Sequence, residues 1–390
     1  MHSFGHDFWT ALFAAIAVTW IVQAMRATLG MSRVPWLRDS APVSDAEAPP
    51  ISVIVAARDE AAALPAALAT LVSQDYPRYE VIAVNDRSRD ATGDILRQFA
   101  NASNRLRVVE IAELPPGWMG KPHALARGAA AATGEWLVFT DADVHFAPDV
   151  LRRAATLVRV RSWDHLSLLC GFEMSGFWER AFLGFFTLAF IIGNEPWNVP
   201  NKRSKRYAGV GAFQMVRRTA YDAVGGHGAL AMEVIEDMRL GKIVKRGGFA
   251  SGLGLAETEL RLRWYSGLGE IVRGLTKNMF AALEFSVFNA IAGSMLALTM
   301  SALPFAGVIF LTGWARLFAG VAAATAMIFH GHVNRGANIS PLYALTHPLD
   351  ALIFAFVIWR SMFVTLARGG IVWRGTFYRL ADLRRGAVLK

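Results

Sequence analysis

Cysteine is nearly missing from the 390-residue chain: Cys170 stands alone, which excludes an internal disulfide and a thiolate metal cluster and leaves it reading as a small buried apolar residue. Charge is also scarce, with Asp, Glu, Lys and Arg at 18% of residues, where soluble domains hold about 25%. No G-X-Y period is present, which excludes a collagen-like chain, and the 54% hydrophobic content excludes disorder. G-x-G-x-x-G does not follow the first apolar strand pattern, which argues against a dinucleotide-dependent oxidoreductase. G-x-x-x-x-G-K-[ST], H-E-x-x-H and G-x-S-x-G are absent as well. The net charge of +9 suits anionic lipid surfaces or phosphate-bearing ligands. With no recognisable module behind it, that charge does not make a nucleic-acid binder.

What is present is an apolar excess, mean hydropathy +0.33, gathered into a few runs. Residues 9–25 are uncharged and close to the ~20 residues that a span needs. No Lys or Arg precedes the run, and Arg26, Arg33 and Arg38 follow it. This predicts a retained anchor at 1–28 whose C-terminal side is cytoplasmic, rather than a cleaved leader. Residues 39–50 (DSAPVSDAEAPP) read as a linker. From Ile51 the pattern alternates: strands at 51–57, 79–85, 106–111 and 135–140, and helices at 59–74, from about Asp90, and at 121–132. Such alternation predicts a mostly parallel sheet with helices on both faces, occupying 51–280.

The chain turns apolar again over 281–368, where 287–311, 317–329 and 352–366 are candidate spans. Arg360, inside the last, has to face protein, water or headgroups. Three spans here put the basic tail 369–390, with Arg368, Arg374, Arg379, Arg384, Arg385 and Lys390 at or near it, on the outer side. Those charges favour the inner side, so one run is expected to be re-entrant or interfacial. Residues 181–192, flanked by Trp178 and Trp197, are too short to span and read as a core helix or an interfacial one.

The chemistry-bearing residues fall where strands end. Asp141-Ala142-Asp143 leaves the fourth strand pattern, and open α/β sheets bind ligands at that edge. Two hard oxygen donors suit Mg²⁺ or Mn²⁺ bridging diphosphate oxygens, although the same triplet also serves as a turn or helix cap. Asp86 ends the second strand and can accept from a base or ribose, while Asp90 reads as helix-start capping. Lys121, in PPGWMGKPHAL, opens a helix and can hold diphosphate oxygens, or be a solvated surface lysine. Glu236-Asp237 opens another helix: a carboxylate there can take a proton from an acceptor hydroxyl, or simply interact with the helix dipole. His227, in GGHGAL, can face the same crevice but reads more simply as a solvated loop histidine. Arg263-Trp264 precede the apolar runs and suit diphosphate or lipid headgroups.

Taken in order, VIVAARDE, VNDRSRDATGDIL, GKPHALARGAAAATGEWLVFTDADV, GVGAFQMVRRTAYDAVGGH and EDMRL resemble the family 2 glycosyltransferases over roughly 50–280. PPGWMGK, GGHGAL and WYSGLGEIVRGLTKNMF look like the bacterial hopene-associated and carotenoid (diaponeurosporenoate-type) members. The resemblance implies the GT-A nucleotide-diphospho-sugar transferase fold with N-terminal and C-terminal transmembrane helices. It implies Arg58, Asp59 and Glu60 lining the nucleotide pocket, with Asp59 in place of the family's usual Asn, and Asp86 on the base or ribose. It further implies Asp141 on ribose or sugar, Asp143 on the metal, Asp237 as base and Glu236 supporting it. The expected reaction is an inverting transfer of one sugar from a nucleotide-diphosphate donor to a lipid or isoprenoid hydroxyl, hopanoid or carotenoid among them, at the cytoplasmic face of the inner membrane. Processive members carry Q-x-x-R-W, but Leu260 takes the Gln position here, which disfavours a polysaccharide synthase. A non-catalytic sugar-nucleotide-binding membrane scaffold is the alternative from outside enzymology.

Overall fold

Apolar residues fill 51–57 on both sides of the pleat, and the strand they form is buried on both faces. The computed structural model describes residues 2–386, the side chains of 2–6 excepted; Lys390 of the expected tail lies outside the described residues. Val53, Val55 and Ala57 of strand β1 (Ile51–Ala57) enter one core cluster and Ile54 enters the other, as the period of two requires. Burying each such Val or Ile is worth roughly 1.5–3 kcal/mol. The sheet continues with β2 (Tyr79–Asp86), β3 (Leu106–Ile111), β4 (Trp136–Asp141), β5 (His145–Phe146), β6 (His165–Phe172), β7 (Gln214–Arg217) and β8 (Ser251–Leu262). Their order is β3-β2-β1-β4-β7-β6-β8-β5. β1 pairs in parallel with β2 and β4, and β2 with β3, so the ends of β1, β2 and β4 share one edge. β7 is antiparallel to β4 and β6, and the sheet is mixed from there on.

Two expected boundaries move. The helix expected at 59–74 is Leu64–Val72: Pro65 sits in its first turn, and Asp59 turns the chain with φ 54°. The expected linker 39–50 lies against the helix Val150–Arg161, with Val43 and Ala48 buried and Arg152 donating to Val43 O at 2.7 Å.

The chain divides into two compact units, and neither matches the expected 51–280 span. One contains 34–173, 196–264 and 372–386, hence the eight-stranded sheet. The other contains 2–33, 174–195 and 265–371. In it, among the described residues, three helices are long and apolar enough to cross a membrane: Asp7–Met31, Gly313–Gly336 and Pro341–Arg368. The run 287–311 is not one of them. It breaks at Ala302, ahead of Pro304, into Val287–Ser301 and Leu303–Phe310. Val287–Ser301 forms a pair with Leu268–Ala282 bent by 117°, with Glu284 and Phe285 both at positive φ between them. Phe177–Asn194 packs among these helices, and Arg360 donates to Thr276 Oγ1 at 3.2 Å.

The expected basic tail is folded. β9 (Gly370–Trp373) and β10 (Thr376–Arg379) form a hairpin around Arg374-Gly375, with φ 48° and 74°. Positive φ at both central residues is the I′ geometry that matches strand twist. At Arg374 it costs about 1–2 kcal/mol.

His165, on β6, is fully buried, and burial lowers its pKa to about 3. It is neutral in the fold, and its Nε2 takes the amide of Gln214 at 2.8 Å. Above pH 6.5 it therefore costs nothing. As pH falls from 6.5 towards 3, the unfolded chain binds a proton that the folded chain refuses. Stability is expected to drop by about 1.4 kcal/mol per pH unit from this group. Thermal midpoints read between pH 7 and pH 4.5 test this; a flat profile would contradict it.

Candidate active site

Three chain segments meet beyond the end of β4. Strand β4 delivers Asp141 at its last residue. The helix Gly120–Ala131 starts with Lys121 in its first turn, and the helix Glu236–Arg246 opens with the two acids, which suits its dipole. Lys121 Nζ lies 2.6 Å from Asp141 Oδ1 and 2.7 Å from Glu236 Oε1. Burial opposes its charge, but the carboxylates of Asp141, Glu236 and Asp237 outweigh it and hold the ammonium well above the ordinary lysine range. Lys121 is thus no surface lysine; it is the cation at the centre of an acidic pocket lined also by Thr140, Gly211, Gln214 and His227.

Asp237 is fixed by backbone. Its Oδ2 accepts from Gly211 N–H at 2.9 Å and its Oδ1 from Met238 N–H at 2.8 Å. Burial, joined by the neighbouring Glu236, pushes its carboxyl up to about 6. The loop 209–211 can approach this closely only as glycine: a Cβ on Gly209 would stand 1.8 Å from Asp237 O, and one on Gly211 2.8 Å from Asp141 Oδ2. Gln214 donates to Asp237 O at 3.2 Å, so a buried chain runs from His165 through Gln214 to the helix start.

His227 corrects the reading of a solvated loop histidine. It is 1% exposed, its ring stands edge-on to Phe139 at 4.6 Å, and Tyr221 OH is 2.9 Å from its Nδ1. The Gly-rich turn folds inward because Tyr221 OH also accepts the His227 backbone N–H at 3.0 Å. Burial, with Lys121 adding to it, drives the ring's pKa down to about 3, so it lines the pocket uncharged.

A second group gathers at the ends of β1 and β2. Asp86 is buried and takes Arg87 through both oxygens, at 2.7 and 3.1 Å, with Arg58 Nη1 at 3.8 Å. Asp59 Oδ1 accepts from Arg89 N–H at 2.7 Å, and Glu60 pairs with Arg374. Asp90 has the expected local role, accepting from Thr92 N–H and Ala61 N–H at 3.0 Å each. Asp143 stands in the turn after β4, where burial first, then Asp141 and Glu60, push its carboxyl up to about 6. Arg263 and Trp264 are not among the pocket-lining residues: Arg263 is exposed, and Trp264 stacks on Phe172 at 5.5 Å. Leu260, at the Gln position of the processive motif, is wholly buried in the sheet core.

Sequence reasoning passed over Gly211, Gln214, Arg374 and Tyr378. The first two had a visible signal, the closely spaced glycines of GVGAFQ ahead of a strand.

Comparisons with known proteins agree with this architecture. The chain is 26% identical over 215 residues to the 4,4'-diaponeurosporenoate glycosyltransferase of Staphylococcus haemolyticus, covering 50% of this chain and 52% of that one. It is 28% identical over 231 residues to the beta-monoglucosyldiacylglycerol synthase of a Synechocystis strain, covering 53% and 45%. The chain thus spans about half the length of these two relatives. Among solved structures, the mannosyltransferase PcManGT from Pyrobaculum calidifontis, in complex with GDP-Man and Mn²⁺, shares the fold. That match has TM-score 0.55 and 20% identity, and covers 88% of this chain and 99% of that one. Residues 52–224, a stretch that includes β2 to β7 together with Lys121 and Asp141 of the pocket, match the family model of glycosyl transferase family 2.

Proposed function

We propose that the protein transfers one sugar, with inversion, from a nucleotide-diphosphate donor to a lipid or isoprenoid hydroxyl. The observation that carries this reading is the Lys121 ammonium held between Asp141 and Glu236, with the Asp237 carboxyl beside it pushed up to about 6. A carboxylate titrating near neutrality is suited to take a proton from an acceptor hydroxyl, whose oxygen then attacks the anomeric carbon as the diphosphate departs. Lys121 offers fixed positive charge to that diphosphate. Arg58, Asp59, Glu60 and Asp86 form the nucleoside side.

Among the described residues, no group of three or more His, Cys, Asp or Glu side chains is arranged to hold a metal unaided. Asp143, raised first by burial and then by the nearby Asp141 and Glu60 carboxylates, nevertheless fits a hard cation that would answer this negative charge. Asp143, with Asp141, would hold Mg²⁺ or Mn²⁺, which when bound supplies Lewis-acid neutralisation of the leaving diphosphate.

The lipid acceptor is supported by the three apolar helices and by the diaponeurosporenoate and diacylglycerol in the relatives' names. Chain parity supports the sidedness. Residues 196–264 and 372–386 belong to one unit, so the chain between them crosses a membrane an even number of times. On this reading Gly313–Gly336 and Pro341–Arg368 make two crossings, the bent pair is re-entrant or interfacial, and the arginine-bearing tail lies on the inner side, as its charges favour. Leu260 in the place of the processive motif's Gln favours single transfer over processive synthesis.

Full-length protein in nanodiscs, given UDP- and GDP-sugars with Mn²⁺ or Mg²⁺, is expected to release nucleoside diphosphate faster when a host lipid extract is present. A long polymeric product would favour the processive synthase. No release and no donor binding by calorimetry across the panel would leave the non-catalytic scaffold.

A further inference from the structure

The donor side of the sheet edge is closed by a piece of chain that lies outside the 52–224 family match. Within the catalytic unit, Arg374 at the hairpin turn pairs with Glu60, in the loop after β1. Four residues on, Tyr378 is 7% exposed, and its hydroxyl accepts the Gly120 N–H at 3.2 Å. Gly120 is itself pressed onto the end of β2: a Cβ there would lie 2.6 Å from Asp86 Oδ2 and 2.9 Å from Arg87 Nη2. The charge on Arg87 is favoured first by its hydrogen bond to Asp86. Behind the hairpin, Leu383 is wholly buried and Gly386 packs on Met232. The contacts therefore run from the tail to the ends of β1 and β2 and to the start of the Lys121 helix. None of them involves Asp141, Glu236 or Asp237.

We propose that Arg374–Tyr378 is a clasp on the nucleoside side of the donor site, which positions Glu60, Arg87 and Gly120 for the nucleotide and is itself held in place when a nucleoside diphosphate binds. The inference rests on the donor reading above. Arg374 and Tyr378 are positioning residues: they act through Glu60 and Gly120. Because the clasp touches the nucleoside side and not the acid–lysine cluster, its loss falls on donor KM and spares kcat. Coupling is reciprocal, so whatever the clasp adds to nucleotide affinity, the nucleotide adds to the closure of the clasp.

The test uses full-length protein in nanodiscs with UDP and GDP as probes. Amide hydrogen exchange over 370–386 is expected to slow several-fold on saturation with the nucleotide that binds. Arg374→Asn removes the guanidinium while keeping a residue that tolerates positive φ, and Tyr378→Phe removes only the hydroxyl. Each is expected to raise donor KM about tenfold with kcat within twofold, and Arg374→Lys to restore most of the loss. A nucleotide that binds the wild type without changing exchange over 370–386 would overturn the clasp alone. So would variants that lose kcat at unchanged KM. Wild-type protein that binds neither UDP nor GDP would overturn the donor reading and the clasp with it. The exchange experiment needs no variant, so a substitution that fails to fold does not protect the idea.

Discussion

Asp237→Asn is expected to abolish sugar transfer while donor binding survives. Positioned acid–base groups contribute about 10²–10⁴-fold, and kcat should fall by that order with the nucleotide dissociation constant within a few-fold. The geometry sharpens the expectation. Both Asp237 oxygens accept backbone N–H groups, from Gly211 and Met238. An asparagine keeps one of these bonds and turns an NH₂ towards the other amide, at about 1–3 kcal/mol for the unsatisfied donor. Some loss of stability therefore accompanies the loss of turnover, and the two are separable by measuring thermal midpoint and donor affinity on the same preparation. Turnover near the wild-type rate would reject Asp237 as the base. Equal loss of donor binding and turnover would show that the 209–211 loop, not proton transfer, depends on it.

Lys121→Met should give the second large effect, and in two currencies. The ammonium answers Glu236, whose side chain is 4% exposed, and Asp141, whose side chain is 37% exposed. Removing one partner of a buried pair costs about 3–5 kcal/mol. The Asp141 arm is open enough for water to screen it, so most of the penalty falls on Glu236 and the lower end, about 3 kcal/mol, is expected. Added Mn²⁺ should raise the variant's thermal midpoint more than the wild type's, because a divalent cation can answer carboxylates that have lost their lysine. Turnover should fall along with donor affinity, through loss of charge on the diphosphate side. A variant as stable as the wild type, with no metal-dependent gain, would contradict the central role given to Lys121.

The parts of this architecture that could be read from sequence are those in which local pattern and long-range role coincide. The runs at 51–57, 79–85 and 106–111 read as strands, the first of them buried, and their spacing suited crossover helices. The acids at 141, 143, 236 and 237 were legible because they stand where a strand ends and a helix begins, which is also where ligands bind in such sheets. Other features depended on partners far away in sequence. Nothing near His227 announces that Tyr221 and Phe139 will enclose it, since its glycine neighbours suggest only an open turn. The run 287–311 has the composition of a span, and what interrupts it is a single proline at 304 together with the reversal at 284–285. The tail read only as a basic segment because its turn is Arg-Gly, with an arginine where the I′ geometry usually finds Asn or Asp.

The hairpin's place at the far end of the chain bears on biogenesis. Its residues leave the ribosome after Gly313–Gly336 and Pro341–Arg368, yet they pack in the unit whose sheet starts at Ile51. The sheet, with its acid–lysine pocket, is already synthesised while these two helices are still emerging, so the contacts to Glu60 and Gly120 join residues made early to residues made much later. The Glu60 and Gly120 contacts therefore wait on synthesis through Tyr378, long after the sheet they close upon.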